Sequence, residues 1–192
     1  AAIHTAIDSG INWFDTAPLY GHGQADLVLK KALSERSDEV VIASKCGVRW
    51  DMEGDHAQSD LRPEHVQWDI EESLKRLEVE AIDLMQIHWP CEVDSRLQDT
   101  FEALHKLQDE GKLRYIGVCN YSAEGLKAVC EATDRVVSLQ CGYSMVRREH
   151  ESTTQPVTEE KALGVLAYEP LARGLLTGKY TSLELEFPIT DL

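Results

Sequence analysis

Apolar residues in this chain fall into two alternating kinds of stretch: short, mostly apolar runs, and longer segments in which they recur every three or four positions. The runs are Trp13-Phe14, Val40 to Ala43, Ile82 to Ile87, Arg114 to Val118, Val136 to Leu139 and Gly164 to Tyr168. They are too short for helices and largely continuous rather than alternating, which predicts strands buried on both faces. Between them lie segments of helical period. Ile3 and Ile7 share a face ahead of Gly10, and in Gln24–Leu33 Val28 stands over Ala32 and Leu29 over Leu33. After Pro63, Val66, Ile70, Leu74 and Leu77 form a stripe beneath the charges of Glu71, Glu72, Lys75 and Arg76. Leu97, Phe101, Leu104 and Leu107 form another stripe, which Gly111 ends, and Ser122 caps a helix through Leu126 and Val129. Ser152 to Leu163 reads as a weaker helix that starts at Pro156. Lys45 to Pro63 reads as a long polar loop. Six strands alternating with helices predict a parallel α/β fold.

Three of these strands end on an ionisable group: Phe14 runs into Asp15, Ala43-Ser44 into Lys45, and Ile87 into His88. Delivery of such groups from successive strand ends is how a parallel α/β barrel builds an active site. Taken singly, Asp15 also suits an Asx-turn, Tyr20 a turn, and His88 a hydrogen-bonded core position. Lys45 resists so plain a reading, because an ammonium ending a buried strand requires a partner.

The chain has 192 residues, enough for one domain across 1–192, and no linker or low-complexity segment divides it. A complete eight-fold barrel takes about 250 residues. The chain opens without methionine, inside a helix, and so reads as a piece of a longer protein. Nineteen Lys and Arg against 34 Asp and Glu give a net charge of −15, which argues against nucleic-acid or membrane-surface partners. The five cysteines are odd in number and contain no Cys-x-x-Cys pair, as expected of reduced thiols in a cytoplasmic protein. Neither a leader nor an apolar run of membrane-spanning length is expected, and no His-x-His or clustered carboxylate set suggests a metal.

Five motifs in order, Phe14-Asp15-Thr16-Ala17 with Tyr20-Gly21, Ala43-Ser44-Lys45, Asp83-Leu84 with Ile87-His88, Gly111-Lys112 through Gly117-Val118 to Asn120, and Pro170 to Lys179, resemble the signatures of the aldo-keto reductases. The resemblance implies a TIM-type (β/α)8 barrel, incomplete here, running from the family's first helix to just past its seventh strand. It implies Tyr20 as proton donor to a carbonyl, Lys45 as the cation that makes the phenol proton transferable, Asp15 as the partner of Lys45, and His88 as the group that orients the substrate oxygen. It places a nicotinamide carboxamide on Asn120 and Gln140, its ring on Tyr168, and further cofactor contacts on Leu171 and Gly174. Trp50 and Trp89 are expected to line the substrate pocket.

The implied cofactor is NADP(H), with NAD(H) open because the family's 2′-phosphate segment lies beyond this chain. The implied partner is a small aldehyde or ketone, and oligomeric state is open. The chain departs from the family pattern at Cys119, where Ser is usual, and at Glu169, where Ser or Gly is usual. Two other readings stand beside carbonyl reduction. One is a cofactor-binding regulatory subunit without turnover, and the other a Schiff-base aldolase using Lys45.

Overall fold

A computed structural model describes residues 1–34, 36, 39–50, 56–91 and 97–180. Helix α1 (Ala2–Asp8) precedes β1 (Trp13–Asp15), α2 (Gln24–Leu33) and β2 (Val41–Cys46). A short pair, β3 (Val48–Trp50) and β4 (Ala57–Ser59), leads to α3 (Pro63–Leu77), β5 (Ile82–Ile87), α4 (Leu97–Asp109) and β6 (Leu113–Cys119). Then come α5 (Ala123–Ala132), β7 (Val136–Gly142), α6 (Glu149–Ser152), α7 (Gln155–Glu160), β8 (Gly164–Tyr168) and a 3₁₀ turn, Ala172–Thr177. Among the described residues no helix is long and apolar enough to cross a membrane.

Six strands form one parallel sheet in the order β1-β2-β5-β6-β7-β8, as the alternation of runs and periodic segments predicts. The sheet is strongly curled. β1 and β7 stand four strands apart, about 19 Å in a flat sheet, yet Gln140 Nε2 on β7 donates to Asp15 Oδ2 on β1 at 2.8 Å. Curling of this degree makes the sheet a partial (β/α)8 barrel.

The helices pack on the outer face of the sheet. Val66, Ile70 and Leu77 of α3 and Phe101, Leu104 and Leu107 of α4 are buried with Ile42, Met85, Ile87, Ile116, Val118 and Leu139 in one core. Burying each such side chain is worth about 1.5–3 kcal/mol. Helix ends form where the sequence marks them. Pro63 opens α3 in its first turn, and Ser122 caps α5 by accepting from the Gly125 N–H at 3.1 Å.

Several local expectations change. The polar connection after Lys45 contains the antiparallel pair β3–β4, with Val48 opposite Ser59 and Trp50 opposite Ala57; three-residue strands are too short to show a period. Its segment 51–55 lies outside the described residues, as does 181–192 of the expected domain. The helix expected from Pro156 is α7, which starts one residue earlier with Pro156 in its first turn and ends at Glu160, and a separate turn of helix, α6, precedes it. On α2, Val28 is exposed while Asp26 is buried. Arg76, expected among the outward charges of α3, turns in to meet it.

The barrel interior is tight at Gly117. A Cβ there would stand 2.5 Å from Ser138 Oγ, 3.2 Å from Gln86 Cγ and 3.3 Å from Leu84 Cδ1. Gly117→Ala is therefore expected to lower stability by about 1–3 kcal/mol through overpacking, read as a drop in the urea midpoint at unchanged m. Adding Ser138→Gly should recover part of the loss.

Candidate active site

The ladder of the parallel sheet carries the candidate side chains to one rim. Thr16 N–H donates to the Ala43 carbonyl at 2.8 Å, His88 N–H to Cys46 at 3.0 Å and Asn120 N–H to Gln140 at 2.9 Å. The register therefore holds one residue past β1, β5 and β6, and their C-terminal ends stay adjacent.

Lys45 is one of the largest fully buried side chains of the described residues, at 1% exposure. Its ammonium forms an ion pair with Asp15 Oδ1 and donates to the Thr16 carbonyl at 2.9 Å. It stands 4.9 Å from the centre of the Tyr20 ring. The Tyr20 and His88 rings meet edge to face, with centres 5.9 Å apart. Asp15, Tyr20, Lys45 and His88 are thus one cluster. Burial, and next the Lys45 ammonium, push the His88 imidazole down to about 4, with the Asp15 carboxylate opposing them. His88 is therefore a neutral ring at pH 7, with one N–H to donate and one lone pair.

The expected cofactor groups border this cluster and are engaged with it. Gln140 bonds Asp15. Asn120 Nδ2 donates to the His88 carbonyl at 3.1 Å, and the Tyr168 hydroxyl donates to Asn120 Oδ1 at 2.9 Å. Cys119, in place of the usual Ser, lies with its sulfur 3.5 Å from Gln140 Oε1 and 3.6 Å from Gln86 Oε1. Burial pushes its thiol up to about 12, so it stays an S–H donor that turns the Gln140 amide nitrogen toward Asp15. Glu169 pairs with Arg173 at 2.6 Å, which answers its charge within the chain.

Arg147 lies over the Tyr168 ring, 5.6 Å from its centre. An open cleft of about 730 Å³ runs from Asn120 and Tyr168 along Ser122, Gly142, Arg147 and His150. Leu171 and Gly174 stand beyond this group, on the turn after β8.

Of the two tryptophans, Trp89 tilts against His88 at 5.1 Å between ring centres. Trp50 stacks on His22 at 5.7 Å, which fixes the β3 segment against the loop that follows Tyr20. His22, Gln86 and Asp26 belong to the neighbourhood and escape the motif reading, while Thr16 stands in the first motif without a role of its own. Asp26 leaves one signal in the sequence, since it falls on the buried face of α2 three residues before Leu29.

Known proteins resemble the chain over nearly its whole length. The family model described as Aldo/keto reductase family matches residues 1–187. A glycerol dehydrogenase of Gluconobacter oxydans superposes with a TM-score of 0.92 at 38% identity, covering 99% of this chain and 58% of that one. An aldo-keto reductase of Klebsiella pneumoniae, in complex with NADPH, superposes at 0.74 with 31% identity, covering 90% of this chain and 57% of its own. The NADH-specific methylglyoxal reductase of Escherichia coli (strain K12) is 31% identical over 183 residues, 90% of this chain and 56% of that protein. The chain spans about half the length of the curated relatives it matches.

The depressed His88 has a consequence for stability. An unfolded histidine titrates near ~6.5, so between about pH 6.5 and 4 the unfolded chain binds a proton that the folded chain does not. The folded state thus loses stability as pH falls through that window, by about 3 kcal/mol in all, and keeps it above. Urea unfolding from pH 7 to 4 should show this slope, and His88→Gln should flatten it. An unchanged slope would assign the titration to another group.

Proposed function

From the premise that the chain belongs to the aldo/keto reductase family, we propose that it carries the active site of an oxidoreductase that reduces an aldehyde or ketone to the alcohol. The observation that carries this reading is the buried Lys45–Asp15 ion pair lying against Tyr20 and a neutral His88. Tyr20 gives its phenolic proton to the carbonyl oxygen, and the negative charge left on it faces the Lys45 ammonium. Asp15 and the Thr16 carbonyl hold that ammonium in place. His88, neutral, donates its ring N–H to the substrate oxygen and so orients the carbonyl without competing for the proton. Trp89 and the His22–Trp50 stack wall the substrate side.

The groups present fit a nicotinamide cofactor. Two side-chain amides, Asn120 and Gln140, and an aromatic ring, Tyr168, sit at neighbouring strand ends beside the cluster. Gln140 and Asn120 would hold its carboxamide, Tyr168 its ring, and the turn bearing Leu171 and Gly174 its phosphates. When bound, the reduced nicotinamide supplies the hydride. NADP(H) follows from likeness to the NADPH-bound Klebsiella protein, while the NADH-specific Escherichia relative keeps NAD(H) open. The five cysteines, all free, accord with a cytoplasmic site.

The pairing of Lys45 with a carboxylate supports its role as fixed charge over that of imine-forming nucleophile. Borohydride trapping of substrate on Lys45 would reverse that preference.

The test is fluorescence titration with NADPH and NADH of the protein that carries this chain, followed by addition of a generic aldehyde. Binding followed by cofactor oxidation is expected, and binding without oxidation would favour a regulatory role. Tyr20→Phe is expected to cut reduction by about 10²–10⁴-fold, the range of general acid catalysis, with cofactor affinity unchanged. Reduction that survives the change would assign the proton to another donor.

A further inference from the structure

Beside the four clustered side chains lies a second buried charge that the reaction as proposed does not use. Asp26 on α2 is 0% exposed. Its Oδ1 accepts from Thr16 Oγ1 at 2.7 Å and its Oδ2 from Arg76 Nε of α3 at 2.9 Å. Arg76 also donates to Ser73 Oγ at 3.0 Å. The loop that carries Tyr20 closes over this arginine at Gly23. A Cβ there would stand 2.9 Å from Arg76 Cδ and 3.1 Å from Nε, on a backbone with φ of +85°, so only glycine fits.

A buried ion pair is weak evidence for stability, because desolvation offsets most of the attraction. Holding α2 to α3 needs only Asp26 and Arg76, and it does not explain the third bond, to Thr16. Thr16 is the residue whose main-chain carbonyl accepts from Lys45 Nζ at 2.9 Å, and its neighbour Asp15 supplies the other partner of the same ammonium. An ammonium has three N–H donors. With two fixed by consecutive residues of one turn, the third is left for the side where Tyr20 lies.

We propose that Asp26, held by Arg76, is a positioning residue that clamps the Asp15-Thr16 turn through the Thr16 hydroxyl and thereby sets where the Lys45 ammonium stands relative to Tyr20. The proposal rests on Lys45 being the charge partner of Tyr20, as read above. The clamp acts on placement alone and touches neither substrate nor cofactor, so its loss should appear in the chemical step and not in binding.

Thr16→Val tests it in the protein that carries this chain, removing the hydroxyl while keeping side-chain volume and the Asp26–Arg76 pair. The single-turnover rate of cofactor oxidation should fall about ten- to a hundredfold, as for a small misplacement of a reacting group. KM for the carbonyl and Kd for the cofactor should hold at the parental values. Thr16→Ser, which keeps the hydroxyl, should restore most of the rate, and Asp26→Ala, which removes the partner of that hydroxyl, should behave like Thr16→Val.

A second readout needs no turnover: the ammonium signal of Lys45 in ¹⁵N-lysine NMR spectra, assigned by its loss in Lys45→Met. It should be sharp in the parent and Thr16→Ser and broadened by solvent exchange in Thr16→Val. A parental rate or a parental signal in Thr16→Val overturns the clamp. A parent without turnover, whose Lys45 signal nonetheless responds as described, overturns the reductase reading and supports the clamp.

Discussion

The burial of one positive charge sets the conditions for the rest of this structure. An ammonium removed from water without partners is far too unfavourable to persist. Lys45 is accommodated at the end of β2 because β1 brings a carboxylate and a main-chain carbonyl to it. That requirement fixes the pairing of β1 with β2 at Asp15 and Ala43. Through Gln140, bonded to the second oxygen of Asp15, it also ties the near edge of the sheet to a strand four places away.

The same charge governs the chemistry of its neighbours. It helps burial keep His88 neutral, which suits a group that orients an oxygen more than one that supplies a proton. It opposes the upward shift of the Cys119 thiol, although burial prevails and sulfur remains a donor. The two amides that border the cluster are bonded at both ends, Gln140 with Asp15 and Cys119 and Asn120 with His88 and Tyr168.

Most of the architecture was legible because strands of a parallel sheet are buried on both faces, and an apolar run that stops at Asp15, Lys45 or His88 marks its own end. The cluster was legible for the same reason, since ionisable groups at consecutive strand ends must share a rim. What escaped was local or inverted. The β3–β4 pair is too short to have a period, and α6, four residues long, is too short to leave an apolar stripe. Arg76 follows Glu71, Glu72 and Lys75 and reads as one more solvated charge. Only the buried position of Asp26 on the facing helix draws it inward, and a pairing between residues 50 apart leaves no trace in either segment alone.

The bond between Gln140 and Asp15 joins positions 125 residues apart in the sequence. Contacts of such separation are made late, because the entropy of closing the intervening chain must be lost before they return any stabilisation. β7 itself joins the sheet by pairing with β6 and β8. Within the described residues, the carboxylate at the end of β1 therefore gains its second side-chain partner only once the intervening strands are in place, and closing the curl completes the rim.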